Sequence, residues 1–259
     1  CLDKDNRVCL TNKSLRAADH LLVSRYFDYT QIAFHKTVVG FEETLKSIIR
    51  TLLKKEFLNF SKGKIAEMVK NDEYSNLDDN YILSKFRQAL IDFNGVDDGA
   101  LRKRISSILF RKPPKLVANI EYIEKRNEDK RMIHRNNIKQ IKEKIDELSY
   151  EFDINKECWH LWDRTLTISK IGSLLPVDLR GDPKTEEDAE QGVRVLGEDL
   201  ESELLICKRY ALAHELSNRN LYAVRLYVHL DETGDERDRI GDRIKRKIKS
   251  DLRDLPFIE

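Results

Sequence analysis

The chain has 259 residues, enough for a sizeable core in one large domain or two small ones. Charged residues make up 36% and hydrophobic ones 40%, with only 5 prolines and 10 glycines, which fits a helix-rich protein. A formal net charge of +1 excludes a global pull toward nucleic acid or membrane, so any anion site must be local.

No apolar run approaches the ~20 residues of a membrane span. Cys1, Cys9, Cys158 and Cys207 are scattered without a CxxC pair. They read as reduced thiols of a cytoplasmic protein rather than a disulfide frame or a zinc site. The sequence opens at Cys1 in mid-pattern without an initiator methionine, as expected of a fragment of something longer.

In chain order, Val8 to Leu10 suits a short strand or an extended lead. From Asn12 to Leu53 the apolar residues Leu15, Ala18, Leu22, Tyr26, Tyr29, Ala33, Phe41, Leu45, Ile48 and Leu52 recur at helical intervals. The spacing predicts one long helix, capped by Thr11 or Asn12, with any bend or break at Gly40. Arg25, Tyr26, Tyr29, Ala33 and Lys36 fall three or four apart, so they share a stripe. A guanidinium, a phenol and an ammonium on one stripe suit a phosphate chain. The competing reading has Arg25 and Lys36 snorkelling from an ordinary core face.

Shorter helices come next at 61–70 and 77–93. Asn94-Gly95 makes a turn. Asp97 and Asp98 open another helix, with Leu101, Ile105, Ile108 and Leu109 inward. The Arg111–Lys115 segment (RKPPK) stops it, because two prolines cannot continue a helix. Residues 115–123 suit a strand. Residues 124–152 suit a charged helix with the narrow stripe Met132, Ile138, Ile141, Ile145 and Leu148, a surface or interface pattern. Beyond Asp153 come extended segments near 166–171 and 193–196, a polar loop at 175–190 and a helix at 201–216. A strand at 222–228 and a basic–acidic helix at 231–252 close the chain. Strand, helix and strand here suggest a small α+β unit.

The histidines His20, His35, His134, His160, His214 and His229 include no HExxH spacing and no His-Asp dipeptide. There is no glycine-rich phosphate loop and no GxSxG elbow. His160 and His214 read as structural. Read alone, the chain is chemically incomplete as an enzyme, with no catalytic or metal-ligating set of its own. Arg102, Lys103, Arg104, Arg111, Lys112 and Lys115 form a basic cluster; a solvated face is the competing explanation, although rigid prolines beside Arg111 and Lys115 would hold them in place. The run 243–249 (RIKRKIK) reads as a solvated face.

The segment AADHLLVSRYFDYTQIAFHKTVVGFEE resembles the region downstream of the catalytic core in HD-domain nucleotide phosphohydrolases of the deoxynucleoside triphosphate triphosphohydrolase group. LDDNYILSKFRQAL and LRKRISSILFRKPPKLV resemble that family's next segment, and RVCLTNKSL its lead-in. The likeness covers about residues 5 to 120 at matching spacing; from about 155 to 230 it rests on the strand–helix–strand order alone. The family's metal ligands, a histidine, a His-Asp pair and a further aspartate, lie upstream and have no counterpart here.

The resemblance implies a mainly α, α+β chain: a helical region at 1–120 downstream of an HD core, a connecting helix at 121–152 and a small α+β subdomain at 153–259. It implies a carboxyl-terminal part of an enzyme acting on (deoxy)nucleoside triphosphates, with a divalent metal such as Mg²⁺ or Mn²⁺ held by the parent protein. Arg25, Tyr29 and His35 would contact substrate. Lys13, Lys36, Arg111 and Lys115 would hold an activating nucleotide. A tyrosine that stacks on substrate in several members is Ala33 here, a change that Tyr29 could offset. The implied partners are a nucleotide and either a second copy or the amino-terminal HD portion, with no membrane. The rival expectations are a non-catalytic helical module binding nucleotide or nucleic acid, and a pure oligomerisation domain.

Overall fold

A computed structural model of the protein describes residues 1–125, 128–167, 193–205, 219–231 and 234–255. Its helices are α1 (Leu15–Asp28), α2 (Lys36–Lys54), α3 (Lys62–Lys70), α4 (Asp79–Asp92), α5 (Gly99–Leu109), α6 (Glu128–Glu151) and α7 (Gly234–Asp251). The strands are β1 (Lys115–Lys125), β2 (Trp159–Thr167), β3 (Arg194–Leu196), β4 (Ser202–Leu204) and β5 (Arg219–Val228). β1, β5 and β2 hydrogen-bond in that order, and β3 pairs with β4. The protein is mainly helical with α+β character, as its periodicities predict.

The chain divides into two compact units, each discontinuous in sequence. One comprises Cys1–Phe34, Ile120–Asn137 and Asp163–Ala223; the other comprises His35–Asn119, Ile138–Trp162 and Val224–Glu259. In the first, Leu15 and Ala18 of α1 bury against Val195, Leu204 and Leu205, with Leu10 and Val193 packed around them. The antiparallel β3–β4 hairpin sets Val195 opposite Glu203. Leu10 joins it through its N–H to the Arg194 carbonyl at 2.8 Å, and the predicted extended lead makes two isolated bridges, Val8 with Leu2 and Leu10 with Val195. Elsewhere in this unit the rings of Tyr122 and Tyr222 stack with centroids 5.3 Å apart, and His134 lies 5.0 Å from Tyr222.

The second unit has a leucine- and phenylalanine-rich core. Ile48 and Leu52 of α2, Phe86 and Ala89 of α4, and Leu101 and Ile105 of α5 are buried together with Leu58. These are the inward positions the helical period assigns, since side chains three and four apart share a face. Ser61 caps α3 through the Lys64 N–H at 3.3 Å, and Asp78 caps α4 through the Tyr81 N–H at 2.9 Å. Both caps satisfy backbone donors that have no partner within the helix.

Several expectations are corrected. The long helix over 12–53 is two helices. α1 runs into a π-helical turn, Tyr29–Ala33, and α2 begins afresh at Lys36. The Thr30 hydroxyl bonds back to the carbonyls of Tyr26 and Phe27, while His35 caps α2 by accepting the Thr37 N–H on Nδ1 at 3.3 Å. Of the two caps expected, Thr11 or Asn12, Thr11 makes no side-chain cap, and its hydroxyl lies 3.1 Å from that of Ser14. The stripe on α6 is broken: Ile141 and Leu148 are buried, but Met132 is 63% exposed and the inward polar residues are His134 and Asn137.

Residues 202–204 of the predicted helix at 201–216 form β4, because pairing with β3 satisfies their backbone. The rest of that helix from 206, the polar loop at 175–190, and Ile168 and Ile171 lie outside the described residues.

Candidate functional site

The basic segment after α5 begins with a left-handed helix end, as the chain also has at Glu56, Asp72 and Asp153. Arg111 has φ 54°, in the left-handed region that glycine normally occupies. That geometry lets the Lys112 N–H reach the Ser107 carbonyl at 2.9 Å and the Arg111 N–H reach the Ile108 carbonyl at 3.3 Å. The Ser107 hydroxyl adds a bond to the Lys112 carbonyl at 2.5 Å. Carbonyls left open by the last turn are thus closed by an arginine, not a glycine, at a cost of ~1 kcal/mol or more.

The two prolines and Lys115 after this turn are pinned from several sides. Arg237 of α7 donates to the Pro113 carbonyl. Pro114 is buried against Gly40 of α2, where an added Cβ would lie 3.0 Å from the proline Cγ and 3.2 Å from the Tyr227 ring. Gly40 is therefore a packing notch inside a continuous helix, not the predicted bend; the break lies upstream at Phe34 and His35. The Tyr227 hydroxyl donates to the Lys36 carbonyl at 2.8 Å. Burial pushes the Tyr227 phenol up to about 12, so it stays a neutral donor. Lys115 is tied to Asp238 of α7 at 2.6 Å, and its stem lies over Gly241.

The start of α2, the turn after α5 and the first residue of β1 are thus held on one packed framework. From it the side chains of Lys36 and Arg111 are exposed. Neither is in an ion pair among the described residues.

Of the predicted site residues, His35, Lys36, Arg111 and Lys115 lie in this unit, while Lys13, Arg25 and Tyr29 belong to the other. His35 is exposed, with Nδ1 consumed by its capping bond. Lys13 is exposed in the 3₁₀ turn before α1. Arg25 lies on α1 and Tyr29 opens the π-helical turn; their side chains, like that of Ala33, are outside the described residues.

Three more members of the basic cluster, Arg102, Lys103 and Arg104, have structural duties. Arg102 donates to the carbonyls of Leu90 and Phe93 at the end of α4. Lys103 pairs with Asp231. Arg104 is buried, donating to the Ala100 carbonyl at 3.1 Å, to the Ser47 hydroxyl and to Glu157 at 2.6 Å. Its period in α5 turns it inward, where burial outweighs the pull of Glu157 and lowers its affinity for the proton.

Beside it His160 and His229 are buried with ring centroids 5.1 Å apart. Burial and then the Arg104 charge push His160 down to about 4. Burial, then His160 and Arg104, push His229 down to about 3. Among the described residues no group of three or more His, Cys, Asp and Glu side chains could hold a metal ion. Cys1, Cys9 and Cys158 are free thiols, and no described helix is long and apolar enough to cross a membrane.

The partners Asp238, Tyr227 and Arg237 were not legible from sequence. They sit far along the chain from the segment they hold, inside elements whose own periodicity explains them fully. Gly40 was the one local signal, since a glycine inside a strong helix marks either a bend or a close approach.

No family model matches the chain, and no curated protein does. Among solved structures it is similar to a phosphohydrolase from Bacteroides thetaiotaomicron, with TM-score 0.49 and 18% identity, over 86% of this chain and 52% of that one. The chain spans about half the length of that structure. A similarity this low carries no functional weight.

Proposed function

We propose that this chain is the carboxyl-terminal portion of a metal-dependent HD-domain phosphohydrolase acting on (deoxy)nucleoside triphosphates. It would supply phosphate-contacting, effector-binding and oligomerisation surfaces. The reading rests on three sequence motifs in family order between residues 5 and 120. The structural observation that supports it is that Lys36 and Arg111, both exposed, flank a framework tied together by Tyr227, Arg237 and Pro114.

Arg25 is the phosphate clamp in this reading, because a guanidinium offers paired donors to neighbouring phosphate oxygens. Tyr29 stands one turn on and takes the place of the tyrosine missing at Ala33. His35 has Nε2 left for a nucleotide once Nδ1 caps α2. Lys36 and Arg111 present charge to an effector nucleotide from a preset framework, which limits the side-chain entropy lost on binding. Lys115 joins them when it exchanges Asp238 for phosphate, and Lys13 adds a cation from its own unit. The divalent cation of the parent enzyme is held upstream, so this chain's part is binding and positioning. The protein is cytoplasmic in this reading and assembles as a homo-oligomer or with its amino-terminal HD portion.

Equilibrium binding of a deoxynucleoside triphosphate to the purified chain, with Arg25→Ala and Arg111→Ala, tests the proposal. A saturable binding component lost in either variant, without hydrolysis in Mg²⁺ or Mn²⁺, is expected. Preferential binding of single-stranded nucleic acid with a steep salt dependence, untouched by Arg25→Ala, would replace it with a nucleic-acid module. Robust turnover by the chain alone would overturn the assignment of hydrolysis to residues upstream.

A further inference from the structure

A cleft of about 520 Å³ opens beside α5, lined by Arg102, Lys103, Ser106, Phe110, Lys112 and Arg237 among others. That volume is within the range of small-molecule sites. All of its lining belongs to a single unit. Among the described lining residues the one carboxylate, Asp231, is paired with Lys103. The buried His229 that also lines it is neutral. The remaining charge is therefore cationic.

The arginines are not mobile surface charges. Arg102 is anchored by Nη1 alone to the carbonyls that end α4, and Arg237 by Nη2 alone to the Pro113 carbonyl. Each keeps its other guanidinium donors uncommitted among the described residues. Lys112 is exposed and makes no side-chain bond among the described residues, although its backbone is locked by Ser107. Fixed forks with spare donors suit a chain of phosphates, since less freedom is lost as each bond forms. Phe110, in the same lining, is 66% exposed, an unusual place for a large ring. A ring face beside clustered cations suits a base stacked at the end of a phosphate chain.

We propose that this cleft binds a nucleoside triphosphate, its phosphate chain held by Arg102, Lys112 and Arg237 and its base stacked on Phe110. The site uses none of the residues assigned above to substrate or effector, so it stands or falls separately from that assignment.

The test is titration of the purified chain with N-methylanthraniloyl-ATP by fluorescence and with tripolyphosphate by calorimetry, at physiological ionic strength. Both should bind saturably. Lys112→Glu, which changes an exposed side chain, should weaken both by about tenfold or more. Arg237→Gln should act in the same direction. Phe110→Ala should weaken the labelled ATP by about fivefold while leaving tripolyphosphate unchanged, because only the nucleotide has a base to stack. Lys70→Ala, an exposed change on α3 remote in sequence from the cleft, should change neither.

Absence of saturable binding, or affinities unmoved by both Lys112→Glu and Arg237→Gln in variants with unaltered circular dichroism, overturns the site. ATP binding indifferent to Phe110→Ala overturns the base assignment. Displacement of the labelled ATP by a single-stranded oligonucleotide at far lower concentration than by ATP overturns the nucleotide in favour of nucleic acid.

Discussion

Nε2 of His229 lies 3.0 Å from the hydroxyl of Thr44, and that hydroxyl lies 2.7 Å from the Gly40 carbonyl one turn back in α2. A threonine hydroxyl has a single hydrogen, which goes to the carbonyl as it commonly does inside helices. The ring nitrogen is then the donor, and His229 is the tautomer protonated on Nε2. Its neighbour His160 has a buried Nε2 without a hydrogen-bond partner. Two neutral imidazoles thus sit edge to face beside a buried arginine.

This pair makes stability fall in mild acid. An unfolded histidine titrates near 6.5, whereas these rings hold off the proton to about 4 and about 3. Between those limits the unfolded chain binds more protons than the folded one. The stability is fully present above about pH 6.5 and is lost as pH falls, by up to ~1.4 kcal/mol per pH unit for each ring. Burial shifts His134 the same way, so the other unit adds to the effect. The urea midpoint should drop from pH 7 to about pH 5, and His160→Gln should remove one ring's share of the slope. A midpoint that does not move over that interval would refute the neutral pair.

Arg111 at φ 54° sets stability against binding. Glycine adopts that backbone without strain, so Arg111→Gly should stabilise the fold by about 0.5–1 kcal/mol. If the arginine serves an effector, the same change should abolish nucleotide activation or binding. Chemical denaturation and a binding isotherm on one variant settle both halves; a destabilised Arg111→Gly would contradict the strain argument.

Gly40 is required for space. A valine there would drive its methyls into Pro114 and Tyr227, which already approach to within 3.0 and 3.2 Å of an added Cβ. Overpacking of this kind costs about 1–3 kcal/mol, and the loss should appear as a lower denaturation midpoint. It should also loosen the Tyr227 bond to the Lys36 carbonyl. A Gly40→Val protein as stable as the parent would show that the notch has slack.

Lys115 and Asp238 are 2.6 Å apart at a site where the carboxylate is largely exposed. Such a pair contributes little to stability, about 0–1 kcal/mol, so Asp238→Asn should melt close to the parent. It frees the ammonium, however. If Lys115 contacts an effector phosphate, Asp238→Asn should tighten triphosphate binding several-fold, and an unchanged or weaker affinity would remove Lys115 from the effector set.

The elements legible in the sequence are those whose cause is local. The inward faces of α4 and α5, the strand at β5 and the stop after α5 follow from residues three or four apart, from a short β-branched and aromatic run and from two prolines, all within one element's reach. The interruption between α1 and α2 was hidden, because the apolar period runs on through it; a Thr30 hydroxyl and the His35 ring, not a loss of pattern, divide the helix.

Likewise the basic cluster was legible as composition but not as a set of duties. Only packing decided that Arg104 turns inward to Ser47 and Glu157, that Arg102 and Arg237 anchor on carbonyls, and that Lys112 stays uncommitted. Periodicity reports which face a residue takes. Which partner meets it there depends on chain that returns from far away, and no short-range pattern encodes that meeting.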